Sequence, residues 1–132
     1  MRFHYPEMYL RSLSYPGKKV VVFDIDETLY DSVNDKPIHD TILFYHIAKN
    51  LGYKTAIVTA RSNTFTDETI LLLDKLGVTG YEIIFFYSNF LDIPEYKKEA
   101  RRYIHQNIGP VVMSIGDQLW DMGEYGGYGV KL

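Results

Sequence analysis

Two aspartates one residue apart, Asp24 and Asp26, follow directly on the apolar run Val20-Val21-Val22-Phe23. Residues at i and i+2 of an extended chain point the same way, so both carboxylates face one space. Thr28 comes two residues later. Thr59-Ala60-Arg61 follows a second apolar run, Lys97 and Lys98 lie on a helical stretch, and Gly116-Asp117 follows a further run, with Asp121 one helical turn beyond. Carboxylates sharing a cleft repel one another unless a cation neutralises them. Ligands that are all oxygen, without histidine or cysteine, suit a hard ion, and Mg²⁺ is the usual one beside phosphate. A nucleophile, a proton donor and a clamp on the equatorial oxygens are the parts that phosphoryl transfer needs. Each piece alone has a plainer reading. Asp-x-Asp after a strand is a common turn or cap signal, Thr59 suits a strand end, paired lysines suit a solvated helix face, and Asp117 to Asp121 suits a helix start. The pattern lies in all four pieces recurring in this order.

The elements that must carry these residues are legible in outline. Val20 to Phe23 is β-branched and apolar, as a strand buried on both faces is. Ile38, Ile42, Tyr45 and Ala48 recur at helical spacing from Ile38 to Leu51, and Gly52 can close that helix. Thr55 to Thr59 reads as a second strand, Phe65 to Leu76 as a helix stopped by Gly77, and Ile83 to Tyr87 as a third strand. Pro94 suits the first turn of a helix whose apolar face is Tyr96, Ala100, Tyr103 and Ile104. Val111 to Ile115 adds a fourth strand and Tyr128 to Leu132 a short fifth. This alternation predicts an α/β fold, a three-layer Rossmann-like arrangement with a central parallel sheet of about five strands and helices on both faces. Ligands bind beyond the carboxyl ends of such strands, where the acidic residues stand. Residues 1–18, with weak periodicity and a turn at Tyr15-Pro16-Gly17, read as an N-terminal extension packed on a domain at 19–132, with room for a short helix.

The 132 residues and 46% hydrophobic content fit one domain with a single core. A net charge of -3 gives no general attraction to nucleic acid or anionic membranes. The absence of cysteine excludes disulfides, thiolate metal sites and a cysteine nucleophile. Neither a signal-peptide core nor a run of about 20 apolar residues is present, so a soluble, cytoplasmic protein is expected. Most of the 12 tyrosines are expected to be structural.

Asp24-Ile25-Asp26-Glu27-Thr28-Leu29 resembles the D-x-D-x-T motif of the haloacid dehalogenase (HAD) superfamily of phosphatases. Thr59 is similar to its second motif and Gly116-Asp117 with Asp121 to its G-D-x-x-x-D fourth motif, so the likeness runs from about Lys19 to Leu132. Val58-Thr59-Ala60-Arg61, Tyr96-Lys97-x-x-x-Arg101 and Gly116-Asp117-Gln118 look most like the capless acid phosphatase branch (class III-B-like) that includes plant vegetative storage proteins. The resemblance implies a Mg²⁺-dependent phosphomonoester hydrolase with Asp24 as nucleophile, forming an aspartyl-phosphate, and Asp26 as general acid and base. Thr28 would hold the loop, while Thr59 and Lys97 would hold the phosphoryl oxygens, with Lys98 as the fallback lysine. Asp24, Asp117 and the backbone carbonyl of Asp26 would bind Mg²⁺, with Asp121 in a second layer or bound through water. Arg61 either touches substrate or forms a salt bridge at a helix start.

Caps in this superfamily are inserted after the first or the third strand. Between Asp24 and Thr59 there is room for a flap and one helix, and between Thr59 and Lys97 for one helix and one strand. An open, capless site follows, unless the N-terminal extension or another subunit covers it. It would admit a phosphorylated substrate, macromolecular ones included, with nucleic acid as a substrate only. Lys97, Lys98, Arg101, Arg102 and His105 on one helix could favour a polyanion, although solvation explains most of them. A phosphatase of the RNA polymerase C-terminal tail type shares D-x-D-E-T-L, but Gly116-Asp117-Gln118 departs from its paired aspartates. A polynucleotide 3′-phosphatase would also fit a small open site, and an inactive metal-binding or storage protein could be built on the same scaffold.

Overall fold

β-Branched side chains on both faces let β1, Val20–Phe23, lie buried along its whole length in the computed structural model, which describes residues 2–132. Val21 and Phe23 point into one core, while Val20 and Val22 point into the other. After helix α1 (His4–Ser12) and this strand come a small hairpin of β2 (Tyr30–Asp31) and β3 (Lys36–Pro37), α2 (His39–Asn50) and β4 (Lys54–Ser62). The chain continues through α3 (Thr66–Leu76), β5 (Ile84–Tyr87), α4 (Ile93–Asn107), β6 (Val111–Gly116) and β7 (Tyr128–Lys131). The five long strands form one sheet in the order β5-β4-β1-β6-β7, all parallel.

Leu10, Phe44, Tyr45 and Leu73 from α1, α2 and α3 pack on one face of the sheet. Ala100 and Ile104 of α4 pack on the other, giving the three-layer, Rossmann-like fold expected. The connection out of β1 leads to β4 on one side, whereas α4 returns the chain to β6 on the other. The strand order therefore reverses between β1 and β6, the place where open α/β sheets bind ligands. Phe23 is in register with Ile57 of β4 and Ile115 of β6. Asp24 consequently emerges level with Val58 and Gly116, one residue short of Thr59 and Asp117.

Three readings change on contact with the structure. β4 continues past Thr59 to Ser62, because β5 pairs with it again at Tyr87 after an irregularity. The buried stripe of α4 is Lys97, Ala100, Arg101 and Ile104, whereas Tyr103 is half exposed. Two long cations inside the stripe hid it from a hydrophobicity pattern. The basic face of α4 dissolves for the same reason: Lys97 and Arg101 are buried, Lys98 pairs with Glu95, and Arg102 pairs with Glu99. His105 accepts the Val111 N–H. No continuous polyanion-binding surface remains on that helix.

The N-terminal segment contributes to the main core. Phe3 stacks on Phe44, and the Leu10 carbonyl accepts the Tyr53 hydroxyl at 2.5 Å. Tyr53 immediately precedes β4, and Tyr9 packs on Tyr128 at the start of β7, so these anchors lie at the edge opposite Asp24. Among the described residues no helix is long and apolar enough to cross a membrane.

Candidate active site

Four charged side chains from three segments meet at the switch point. Asp24 leaves β1, Asp121 ends a short 3-10 turn after β6, Lys97 reaches in from α4, and Asp117 follows β6 directly. Lys97 Nζ donates to Asp24 Oδ1 at 2.9 Å, to Asp121 Oδ1 at 2.6 Å and to the Val58 carbonyl at 2.7 Å. A lysine has three N–H donors, so all are engaged. Lys97 reaches this depth because Asp92 caps α4 by accepting the Glu95 N–H at 2.9 Å, with Pro94 in the first turn. Tyr96 steadies the same turn by donating its hydroxyl to the Thr59 carbonyl at 2.6 Å.

Asp24, Asp117 and Asp121 each offer a carboxylate oxygen, all within 4.8 Å of one another. Asp24 is buried and Asp117 is half exposed, so the cluster opens on one side. The Asp24 pKa is pushed up to about 7, mainly by burial, with the Lys97 charge opposing the shift and the nearby Asp121 adding to it. All-oxygen donors, an excess of negative charge over one lysine and an open side together fit a hard divalent cation.

Local backbone makes these approaches feasible. A Cβ on Gly116 would lie 2.3 Å from the Cβ of Asp121, so only glycine lets Asp121 fold back over its own strand. The second oxygen of Asp121 accepts the Gln118 N–H at 3.1 Å. Beyond Asp24 the chain turns through Glu27 in the left-handed region, at φ 58°. Its carboxylate secures that turn by accepting the Ser32 N–H at 2.8 Å. Buried Thr28 lies within the turn, its hydroxyl 3.4 Å from Asp24 Oδ2.

Asp26 occupies the mouth, away from this cluster. Arg61 grips its carboxylate with two hydrogen bonds, from Nε at 2.9 Å and Nη2 at 2.8 Å. These bonds raise the Arg61 pKa above its ordinary value. The guanidinium also lies 5.8 Å from the Tyr30 ring centroid and donates to the Thr69 hydroxyl at 3.3 Å. Thr59 is buried, and its hydroxyl accepts the Arg61 N–H at 3.1 Å. The residues given a catalytic, phosphate-binding or metal-binding role thus lie at one edge of the sheet, whereas the fallback Lys98 is paired with Glu95 on the outside of α4. Of the two readings of Arg61 the structure shows a salt bridge, and its partner Asp26, 35 residues away in the chain, is beyond what the sequence indicates. The sequence places Tyr96 on the apolar face of α4 and Arg101 in its basic cluster, but shows neither one's partner at the site. The i, i+4 spacing from Lys97 was the signal that Arg101 shares its face.

A family model of the HAD superfamily, subfamily IIIB (Acid phosphatase), matches residues 29–129. That span includes Thr59, Lys97, Asp117 and Asp121 and begins just after Thr28. A chain of the Pnkp1/Rnl/Hen1 complex is similar in structure, with a TM-score of 0.64 and 21% identity over 79% of this chain and 40% of that one. Another, from the Pnkp1/Rnl/Hen1 RNA repair complex, has a TM-score of 0.61 and 20% identity over 79% of this chain and 37% of that one. This chain therefore spans well under half of either. The core domain of a protein described as a phosphoglycolate phosphatase, from Streptococcus pneumoniae TIGR4, has a TM-score of 0.51 and 22% identity, covering 78% of this chain and 69% of that one. At these identities the likeness is one of fold. No curated protein matches the chain.

Proposed function

Because the chain belongs to the HAD superfamily, subfamily IIIB (Acid phosphatase), a phosphatase family, we propose that it hydrolyses phosphomonoesters through a covalent aspartyl-phosphate on Asp24. The observation that carries this reading is the convergence of Asp24, Asp117 and Asp121 within 4.8 Å, with Lys97 between Asp24 and Asp121. Asp24, Asp117 and the backbone carbonyl of Asp26 would hold Mg²⁺, with Asp121 behind them or bound through water. When bound, that ion offsets the charge of the carboxylates and of the phosphoryl oxygens.

An oxygen of Asp24 attacks phosphorus, and the bond to the leaving oxygen breaks. Asp26 gives its proton to that oxygen. Water then attacks the phosphorus of the aspartyl-phosphate, losing a proton to Asp26, and inorganic phosphate leaves with Asp24 restored. Arg61 holds the partly exposed Asp26 carboxylate at the mouth and favours its charged form, so Asp26 must exchange the guanidinium for the leaving oxygen when it carries the proton. Lys97 has a double duty. It neutralises Asp24 at rest, and a phosphoryl oxygen takes the place of Asp24 on Nζ when that carboxylate turns to attack. The Thr59 hydroxyl holds a second phosphoryl oxygen, Thr28 keeps the Asp24 turn in shape, and Arg61 stands at the substrate side.

In this reading residues 19–132 are the phosphatase domain and 1–18 its extension. The short segments between β1 and β4 and between β4 and α4 leave the mouth without an inserted cap, which suits phosphorylated substrates of any size, nucleic acid included as substrate. Turnover of p-nitrophenyl phosphate with Mg²⁺ tests the proposal: Asp24→Asn should reduce it about a thousandfold or more. Equal turnover by the variant would remove Asp24 from the chemistry, and no turnover by the parent would leave a metal-binding scaffold. Phosphopeptides, nucleotides and 3′-phosphorylated oligonucleotides would then be ranked by kcat/KM.

A further inference from the structure

Arg101 lies one helical turn beyond Lys97 on α4 and is only 3% exposed. Burying a guanidinium is costly unless its donors are met, and here backbone meets them. Nη1 donates to the Trp120 carbonyl at 2.8 Å, Nη2 to the Met122 carbonyl at 3.1 Å, and Nε to the Glu124 carbonyl at 3.0 Å. These three carbonyls alternate along the loop that carries Asp121. Local bonds shape that loop in part, from the Gln118 N–H to Asp121 and from the Ser114 hydroxyl to the Gly126 carbonyl, and it then runs through Gly123, Gly126 and Gly127, of which Gly123 and Gly127 have positive φ. The backbone on either side of Asp121 is nevertheless held from below by α4.

The same helix holds both ends of the problem. Lys97 grips the Asp121 side chain, and Arg101 grips the backbone on either side of it. We propose that Arg101 is a positioning residue for the metal centre: by clasping the carbonyls of Trp120, Met122 and Glu124 it holds Asp121, and the cluster it completes with Asp24 and Asp117, in cation-binding geometry. This rests on the metal-centre reading above. The clasp requires a planar fork with three separate donor directions, which lysine lacks although it keeps the charge.

Trp120 is the chain's only tryptophan and lies between Asp117 and Asp121, so its emission reports on this loop. Mg²⁺ is titrated into metal-free protein while that emission and the Mg²⁺-dependent rise in Tm are followed. Arg101→Lys should weaken Mg²⁺ binding about tenfold and Arg101→Gln up to about a hundredfold, the range found for outer partners of metal ligands. At saturating Mg²⁺ the KM for p-nitrophenyl phosphate should stay within about twofold of the parent. A residue with a merely structural role would lower Tm and leave the Mg²⁺ Kd of the folded fraction unchanged, and that result would overturn the proposal. Parent protein that binds no Mg²⁺ by either readout would instead sink the metal-centre reading and this inference with it. Should both variants fail to fold, ¹⁵N spectra of the parent decide. Separate Nη1 and Nη2 signals for Arg101 support the clasp, and one averaged signal refutes it.

Discussion

The floor and the mouth of the same cleft are built on opposite principles. On the floor, Asp24, Lys97 and Asp121 are at most 8% exposed, and each polar atom has a designated partner. At the mouth, the side chains of Asp26 and Arg61 are 32% and 23% exposed and share a two-pronged ion pair beside the hairpin residue Tyr30. Buried charges interact strongly and punish the loss of any member, whereas an ion pair in contact with water is worth little and exchanges partners readily. In the proposed mechanism a nucleophile and its counter-charge need the first environment, because they must be aimed. A group that passes protons between leaving oxygen and water needs the second.

Removing the lysine from the floor should have the largest effect. Lys97→Met leaves Asp24 and Asp121 buried without their cation, so turnover should disappear and the metal-free protein should lose about 3–5 kcal/mol in urea unfolding. Added Mg²⁺ should return part of that loss. Full stability in EDTA would mean that the buried carboxylates of the floor do not depend on Lys97.

At the mouth the two effects should separate. Asp26→Asn should lower kcat by about a hundred- to ten-thousand-fold. Its urea midpoint should correspond to a loss of no more than about 1 kcal/mol, as for an ion pair in contact with water. Large losses in both would place Asp26 functionally on the floor.

A smaller, graded effect should come with pH. Asp24 has a folded-state pKa raised to about 7 from 3.8, so the folded protein binds the proton more tightly than the unfolded chain. Its contribution is then fully present below about pH 4 and is lost as pH rises through about 7. Thermal melts in EDTA across that window should decline with pH in the parent and less steeply in Asp24→Asn. Parallel curves would refute the assignment.

The smallest change is expected one residue from the largest. Lys98→Met removes an exposed partner of Glu95, and both stability and kcat/KM should stay close to the parent, within about 0.5 kcal/mol. An effect like that of Lys97→Met would exchange the roles of the two lysines.

The alternation of apolar runs and helical periods was enough to place Asp24, Thr59 and Asp117 after their strands. Strand and helix periods are local properties, and a parallel sheet brings carboxyl ends together wherever the strands lie in the order. The oxygen-only chemistry of the acidic set followed from residue type alone. The face of α4 was harder to read. Lys97 and Arg101 look like surface residues by composition, and their burial depends on acceptors supplied by Asp24, Asp121, Val58 and the loop from Trp120 to Glu124.

Residue types and their order along the chain therefore decided the sheet, the edge at which its acidic residues gather and the hard character of a cation they would hold. Folding in three dimensions alone decided which lysine enters, that Arg61 holds Asp26 and that Arg101 clasps the Asp121 loop. Each of these joins segments distant in the chain, and whether a charge is buried is set by the partners it finds there.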